Sequence, residues 1–360
     1  MTVEIDYDGD PSRPTEKRPE SSVVRFDGVE PSTGHASAVG CNFDHLVWEY
    51  EFPASRWFDR GQLRRLDPGE YTAFQSHRED VEGPVERCFR VVSGRGVLRT
   101  ERRDESLERF DLVTVPTGAA YQLGNVGTEE LWLASWTSVG DDDLREASTL
   151  EPAERTGAHE EYERVMAART DEGLQTAPGY AGDYDGDPDE GRPKPTVTRF
   201  AESMPKVFHE APEVGCNADR PDWITTTGDL KWFSDCVVMR MEPGGYTSLH
   251  THFDNEGPHE EIYWVMAGEA RLLTEYRDVR MHQFDCALFP TNNPHSLGNV
   301  GTDTMWVAAW GARGGRESDF DLSDLEVSER PGQTEEYERV MAARKERGLS
   351  TPSWVSFEGE

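Results

Sequence analysis

Four residues in the second half of this 360-residue chain have side chains that could ligate a divalent metal: His250, His252, Glu261 and His295. Neutral imidazole and carboxylate are the donors that suit first-row metal ions. Whether these four can meet depends on the strands that carry them. Side chains alternate across a strand, so His250 and His252 share one side, Glu261, Tyr263 and Val265 share another, and His295, Leu297 and Asn299 a third. A short closed barrel would bring three such inward sides within reach of one point. Gly244, Gly268 and Pro290 stand at the turns that would aim them there.

The spacings are G-x5-H-x-H from Gly244 to His252, E-x6-G from Glu261 to Gly268, and P-x-N-x2-H-x3-N from Pro290 to Asn299. This pattern resembles the two sequence motifs of the cupin superfamily. The resemblance implies that His250, His252, Glu261 and His295 hold one divalent metal per chain. Fe(II) is favoured, and Mn, Zn or Ni are alternatives that the ligand set also permits. Three imidazoles and a carboxylate buried in a small apolar barrel would be costly without such a partner.

The rest of the chain repeats this half. Cys41 recurs as Cys216 and Glu160 as Glu335, both at an offset of 175, whereas Gly124 recurs as Gly298 at 174, so one residue has entered or left the loop after His77. A register held this far marks a duplication, and a length change belongs in a loop. The positions equivalent to His250, His252, Glu261 and His295 are Gln75, His77, Arg87 and Tyr121. Arginine is always charged and cannot ligate a cation. The first module is therefore expected to lack metal, serving as a structural half or, alternatively, as a second pocket in which Arg87 and Tyr121 hold an anion.

The expected architecture is all-β: two tandem double-stranded β-helix (jelly-roll) barrels, each followed by a short amphipathic helix. Short β-rich runs broken by turn residues support it. The helices are expected at Glu160–Arg169 and Glu335–Arg344, where Tyr337, Val340 and Met341 form one apolar stripe. The divisions are a disordered acidic tail at 1–22, a first barrel at 23–175, a flexible linker rich in Gly, Asp and Pro at 176–196, a second barrel at 197–350 and a tail at 351–360.

Two more residues are candidates for catalysis. Tyr263 shares the inward side of Glu261 and could donate to a metal-bound oxygen. His259, read as part of the loop Phe253–Glu260, could gate the site or act as a base. Arg240 recurs as Arg65 in the half without ligands, which favours a structural ion pair.

The net charge of −33 comes from 70 acidic and 37 basic side chains, with only 5 lysines among the latter. It is spread along the chain, which reads as a solvated surface resembling that of cytosolic proteins of salt-loving organisms, and it repels phosphate backbones. Neither nucleic acid nor membrane is expected as a partner, since no apolar run reaches the roughly 18 residues of a span. The acidic, Pro-rich N-terminal stretch does not read as a signal peptide, so the expected location is cytoplasmic. The five cysteines, Cys41, Cys88, Cys216, Cys236 and Cys286, are scattered and never spaced as CxxC, so neither disulfides nor a zinc knuckle is expected.

The resemblance extends to activity. Cupins include Fe(II) dioxygenases, among them gentisate and quercetin dioxygenases, and Mn, Zn or Ni enzymes that decarboxylate, isomerise, eliminate or hydrolyse. Enzymes of the oxalate decarboxylase family carry ligands in both barrels, and the arginine-rich histidine motif of gentisate dioxygenases is not evident here. The favoured expectation is an Fe(II) dioxygenase of a small, possibly aromatic, substrate. The alternatives are a non-redox metal lyase, isomerase or hydrolase, and a non-catalytic ligand-binding protein, in each case with homo-oligomerisation open.

Overall fold

In the computed structural model the described residues are 18–34, 37–77, 84–139, 152–176, 180, 182, 184–186, 191–227, 230–253, 259–313 and 326–351. The chain forms two units. One comprises residues 29–203 and 227–232; the other comprises residues 1–28, 204–226 and 233–360.

Each unit is built from a seven-stranded and a three-stranded antiparallel sheet. In the second unit the large sheet runs Ser22–Val24, Cys286–Phe289, His259–Ala267, Met305–Arg313, Phe233–Met241, Arg220–Thr226, Lys206–Phe208. Its small sheet runs Asp278–Met281, Ala270–Thr274, His295–Asn299. The inner faces of the two sheets enclose a core of Met239, Val265, Leu272, Phe289, Leu297 and Val307, among others. The first unit repeats this arrangement around Phe89, Val91, Leu98, Val113, Tyr121 and Leu123. This is the expected all-β, two-barrel architecture.

Gly298, from the repeated Gly-Asn-Val-Gly-Thr sequence, shows why that sequence recurs. A Cβ there would lie 2.1 Å from the Tyr246 ring. Only glycine lets the segment before the histidines cross the small sheet so closely. Gly124 admits Tyr71 in the same way in the other unit.

The helices run from Ala158 to Asp171 and from Gln333 to Glu346, two residues longer at each end than expected. The stripe of Tyr337, Val340 and Met341 packs on Leu249, next to the first histidine of the site. Helix stability here comes from that packing more than from propensity.

The segment ahead of the first barrel departs from the expected boundaries. Val23 pairs with Ala287, on a strand of the second barrel. Arg18, expected in a disordered tail, is buried and donates from Nε and Nη2 to the two carboxylate oxygens of Glu336, at 3.0 Å each. The repeat-equivalent segment does the same in the first unit, where Val197 pairs with Val113 and Arg192 meets Glu161 at 3.2 Å. The strand Thr196–Thr198 thus begins within the expected linker. The remainder of the tail, 1–17, and all of 352–360 lie outside the described residues.

All five cysteines are free and buried, as scattered small apolar residues are. Arg65 pairs with Asp67 and Glu130, and Arg240 pairs with Glu242, in line with a structural role at both repeat positions. Among the described residues no helix is long and apolar enough to cross a membrane.

Candidate metal centre

The four expected ligands come together. One donor atom from each of His250, His252, Glu261 and His295 lies within 4.8 Å of the others. Glu261 projects from the large sheet, where it pairs with Gly311 and Phe289, and His295 opens the edge strand of the small sheet. His250 and His252 lie in an extended segment that belongs to neither sheet. There His250 and His295 exchange backbone hydrogen bonds of 3.0 Å, and His252 O accepts from Asn292 N at 2.8 Å.

The imidazoles are aimed by their second nitrogens. His250 Nδ1 lies 3.2 Å from the Ser248 carbonyl and His295 Nδ1 lies 2.9 Å from that of Asn293. A carbonyl only accepts, so each Nδ1 carries a proton, and Nε2 is the atom that each ring turns toward the site. Those Nε2 atoms face Glu261 Oε2, at 3.8 Å from His250 and 3.2 Å from His295, with His252 Nε2 at 3.1 Å. Burial, then the neighbouring His295, pushes His250 down to about 3, and burial also lowers His252. Burial alone would raise Glu261, but the three imidazole nitrogens around it hold it well below the usual carboxylate range. Three imidazole nitrogens and a carboxylate oxygen thus converge in a buried place, which is the donor set of a first-row divalent ion.

The wall of the site is aromatic. His295 stacks on Phe289 with ring centroids 3.9 Å apart and planes at 9°. Tyr263 stands edge-on to both, 5.5 Å from His295 and 4.8 Å from Phe289. Burial and the Glu261 charge push its phenol well above the ordinary value, so it remains a proton donor.

His259 corrects the sequence reading. It is the first residue of the strand His259–Ala267, not a loop residue, and it is buried. By alternation it shares the inward side of Glu261, and its ring lies 4.2 Å from that of His252. Residues 254–258 of the expected loop lie outside the described residues. On the far side, a Cβ at Gly311 would lie 2.1 Å from Asp235 Oδ1 and 2.7 Å from His259 Cε1. Gly311 therefore makes room for a carboxylate and this imidazole together.

Sequence reasoning missed two features. Gln333 clamps the residue between the ligand histidines: its Oε1 accepts from Thr251 N at 3.0 Å and its Nε2 donates to Thr251 O at 2.7 Å. Comparing the repeats would have flagged it, because the equivalent residue is Ala158. The second is a buried bidentate pair, Arg220 Nε and Nη2 to the Asp222 carboxylate at 2.7 Å each, whose field reaches Tyr263.

Residues 237–310, which include all four ligands, match the family model described as Cupin domain. No curated protein matches the sequence. Among solved structures the chain is similar to an oxalate decarboxylase (OxdC) mutant from Bacillus subtilis, at 15% identity, TM-score 0.53, with 81% of this chain and 76% of that one covered. It is similar to protein Ylba from E. coli at 10% identity and TM-score 0.51, covering 84% and 95% of the two chains. A putative glyoxylate induced protein from Pseudomonas aeruginosa gives 13% identity and TM-score 0.52, with 86% and 94% covered. At these identities the likeness speaks for the fold. The family match covers residues 237–310, and the chain as a whole has the all-β, two-barrel fold of those structures.

Proposed function

We propose that the protein is a metal-dependent enzyme whose single reaction centre lies in the second barrel, and that it is an Fe(II) dioxygenase of a small organic molecule. One observation carries the metal: His250 and His295, each aimed by Nδ1 on a backbone carbonyl, bring Nε2 together with His252 and Glu261 in one buried cluster of four donors. The four side chains fit a first-row divalent ion and leave coordination positions open. Such an ion, when bound, supplies Lewis acidity and, as Fe(II), a place for oxygen beside the substrate.

The chain's own residues divide the remaining work. Glu261 offsets the charge of the ion, Phe289 and Tyr263 wall the site with apolar surface, and the Tyr263 phenol offers a proton to an oxygen placed over His295. His259, beside His252, is placed to take or return a proton at the rim. An aromatic wall suits a small, partly apolar substrate.

A second reading has its own support. Two proton-handling groups, His259 and Tyr263, on the inward side of the ligand strand are what a non-redox lyase, isomerase or hydrolase using Mn or Zn would need. A similar fold is found in an oxalate decarboxylase. Metal analysis of the purified protein decides between them: iron together with substrate-dependent oxygen uptake supports the dioxygenase. Manganese or zinc without oxygen uptake supports the second reading, and a protein that holds no metal would leave only a ligand-binding role. A cytoplasmic location, a salt-adapted surface and self-association complete the proposal.

A further inference from the structure

The first barrel is the place where the duplication lost its metal ligands, and what replaced them is a surplus of hydrogen-bond donors. Arg87, at the position of Glu261, is buried with 2% of its surface exposed. Its Nε donates to Thr137 Oγ1 at 2.9 Å and its Nη1 to the Tyr121 hydroxyl at 3.2 Å. Both partners are neutral. Among the described residues no carboxylate pairs with Arg87, and its Nη2 donates to nothing. A buried, unpaired cation is costly.

The neighbours do not relieve it. Tyr121, fully buried at the position of His295, accepts from Arg87, so its own proton is left to donate elsewhere. Gln75, at the position of His250, is buried and neither Nε2 nor Oε1 has a hydrogen-bond partner. Its backbone pairs with Tyr121, as that of His250 pairs with His295, so these positions converge here as they do in the second barrel. His77 remains in place of His252 and contacts a second guanidinium, with its Nε2 3.2 Å from Arg155 Nη1. Burial, then Arg155 and Arg87, push His77 well below its ordinary value, so it does not add a further charge.

We propose that the first barrel is an anion site, in which Arg87 Nη2, the Tyr121 hydroxyl and the Gln75 amide bind a small carboxylate at the place that a metal occupies in its sister barrel. Arginine is then a built-in cation standing where the other half recruits one. The planar fork of a guanidinium matches a carboxylate better than a spherical ion, which selects the ligand class. The role is independent of the reaction assigned to the second barrel.

Thermal unfolding and calorimetric titration of the full chain test this, using sodium formate against sodium chloride at equal ionic strength. The background is the His295→Ala protein, in which the metal centre is disabled, alongside wild type. Formate is expected to raise the melting temperature in a saturable way in both, and chloride is not. In Arg87→Met, whose apolar side chain removes the buried charge, the saturable response should vanish. Tyr121→Phe keeps the shape of the site and should shift the formate midpoint about tenfold to weaker binding. The proposal is overturned if Arg87→Met and Tyr121→Phe respond to formate as the parent does, if chloride acts as well as formate, or if formate binds to none of these proteins.

Discussion

Gln333, the first residue of the second unit's helix, holds both backbone groups of Thr251, the residue between the two ligand histidines. On either side of it, His250 and His252 converge with Glu261 and His295. The helix therefore sets the spacing of two metal ligands without touching the metal. In the first barrel alanine stands at the equivalent place.

Gln333→Ala is accordingly expected to weaken metal binding by about 10- to 100-fold, the range seen for groups that orient ligands, and to cost about 1–3 kcal/mol of stability for the buried backbone groups left unpaired. Competition with a chelator reads the first and thermal melting the second. An unchanged metal affinity would show that the strand holds its histidines unaided.

The metal should belong to one barrel. His295→Ala or His250→Ala is expected to remove most of it, whereas His77→Ala should leave it in place, since Gln75, Arg87 and Tyr121 surround His77 with no second strong ligand. Elemental analysis of each purified variant checks this, and a full complement of metal in His295→Ala would contradict it.

Adjacent acids give a sharper test of register. Glu261 faces the imidazoles, and Glu260 must face the other way, where it is buried. Its repeat partner Glu86 accepts from the backbone nitrogens of Lys231 and Trp232 at 2.7 and 2.9 Å. Glu261→Ala should abolish tight metal binding. Glu260→Ala should retain the metal and lose stability, by about 1–3 kcal/mol. Loss of metal in Glu260→Ala with retention in Glu261→Ala would reverse the register.

Acid should unlock the helix of the second unit. Burial would raise Glu336, but hydrogen bonds from Arg339 and Arg18 hold it below its ordinary value. A carboxylate depressed in the folded state contributes stability that is complete above its unfolded pKa of about 4.3 and is lost as pH falls through the folded value. Wild type should thus lose stability steeply below about pH 4.3, and Glu336→Gln should flatten that limb while lowering stability at neutral pH by about 3–5 kcal/mol. Urea melts across this range supply the measurement; parallel curves for the two proteins would refute the assignment.

With 70 acidic against 37 basic side chains, the folded state should gain stability as salt rises from dilute buffer to molar concentration, through screening of self-repulsion. A melting temperature that stays flat or falls would speak against a salt-adapted surface.

The convergence of His250, His252, Glu261 and His295 was legible because strand parity and turn residues act locally, each lying in the same short segment as the glycine or proline of its turn. The helix stripe was legible for the same reason, as Tyr337, Val340 and Met341 repeat with the helical period. His259 was misplaced because the polar run His259-Glu260-Glu261 has poor strand propensity, and pairing with Arg313 and Ala312 overrides it. The clamp by Gln333 and the pairing of Val23 with Ala287 left no periodic trace, since each depends on partners far along the chain.

The exchange of leading segments has a consequence for biosynthesis. Arg18 and Ser22–Val24 are made long before two of their partners, Cys286–Leu288 and Glu336, the latter 318 positions after Arg18. Until the last helix has been made, Arg18 lacks the Glu336 carboxylate that it meets in the folded unit. That unit cannot mature during translation. A chain stalled after residue 330 should be more protease-sensitive around Arg18 than the released chain.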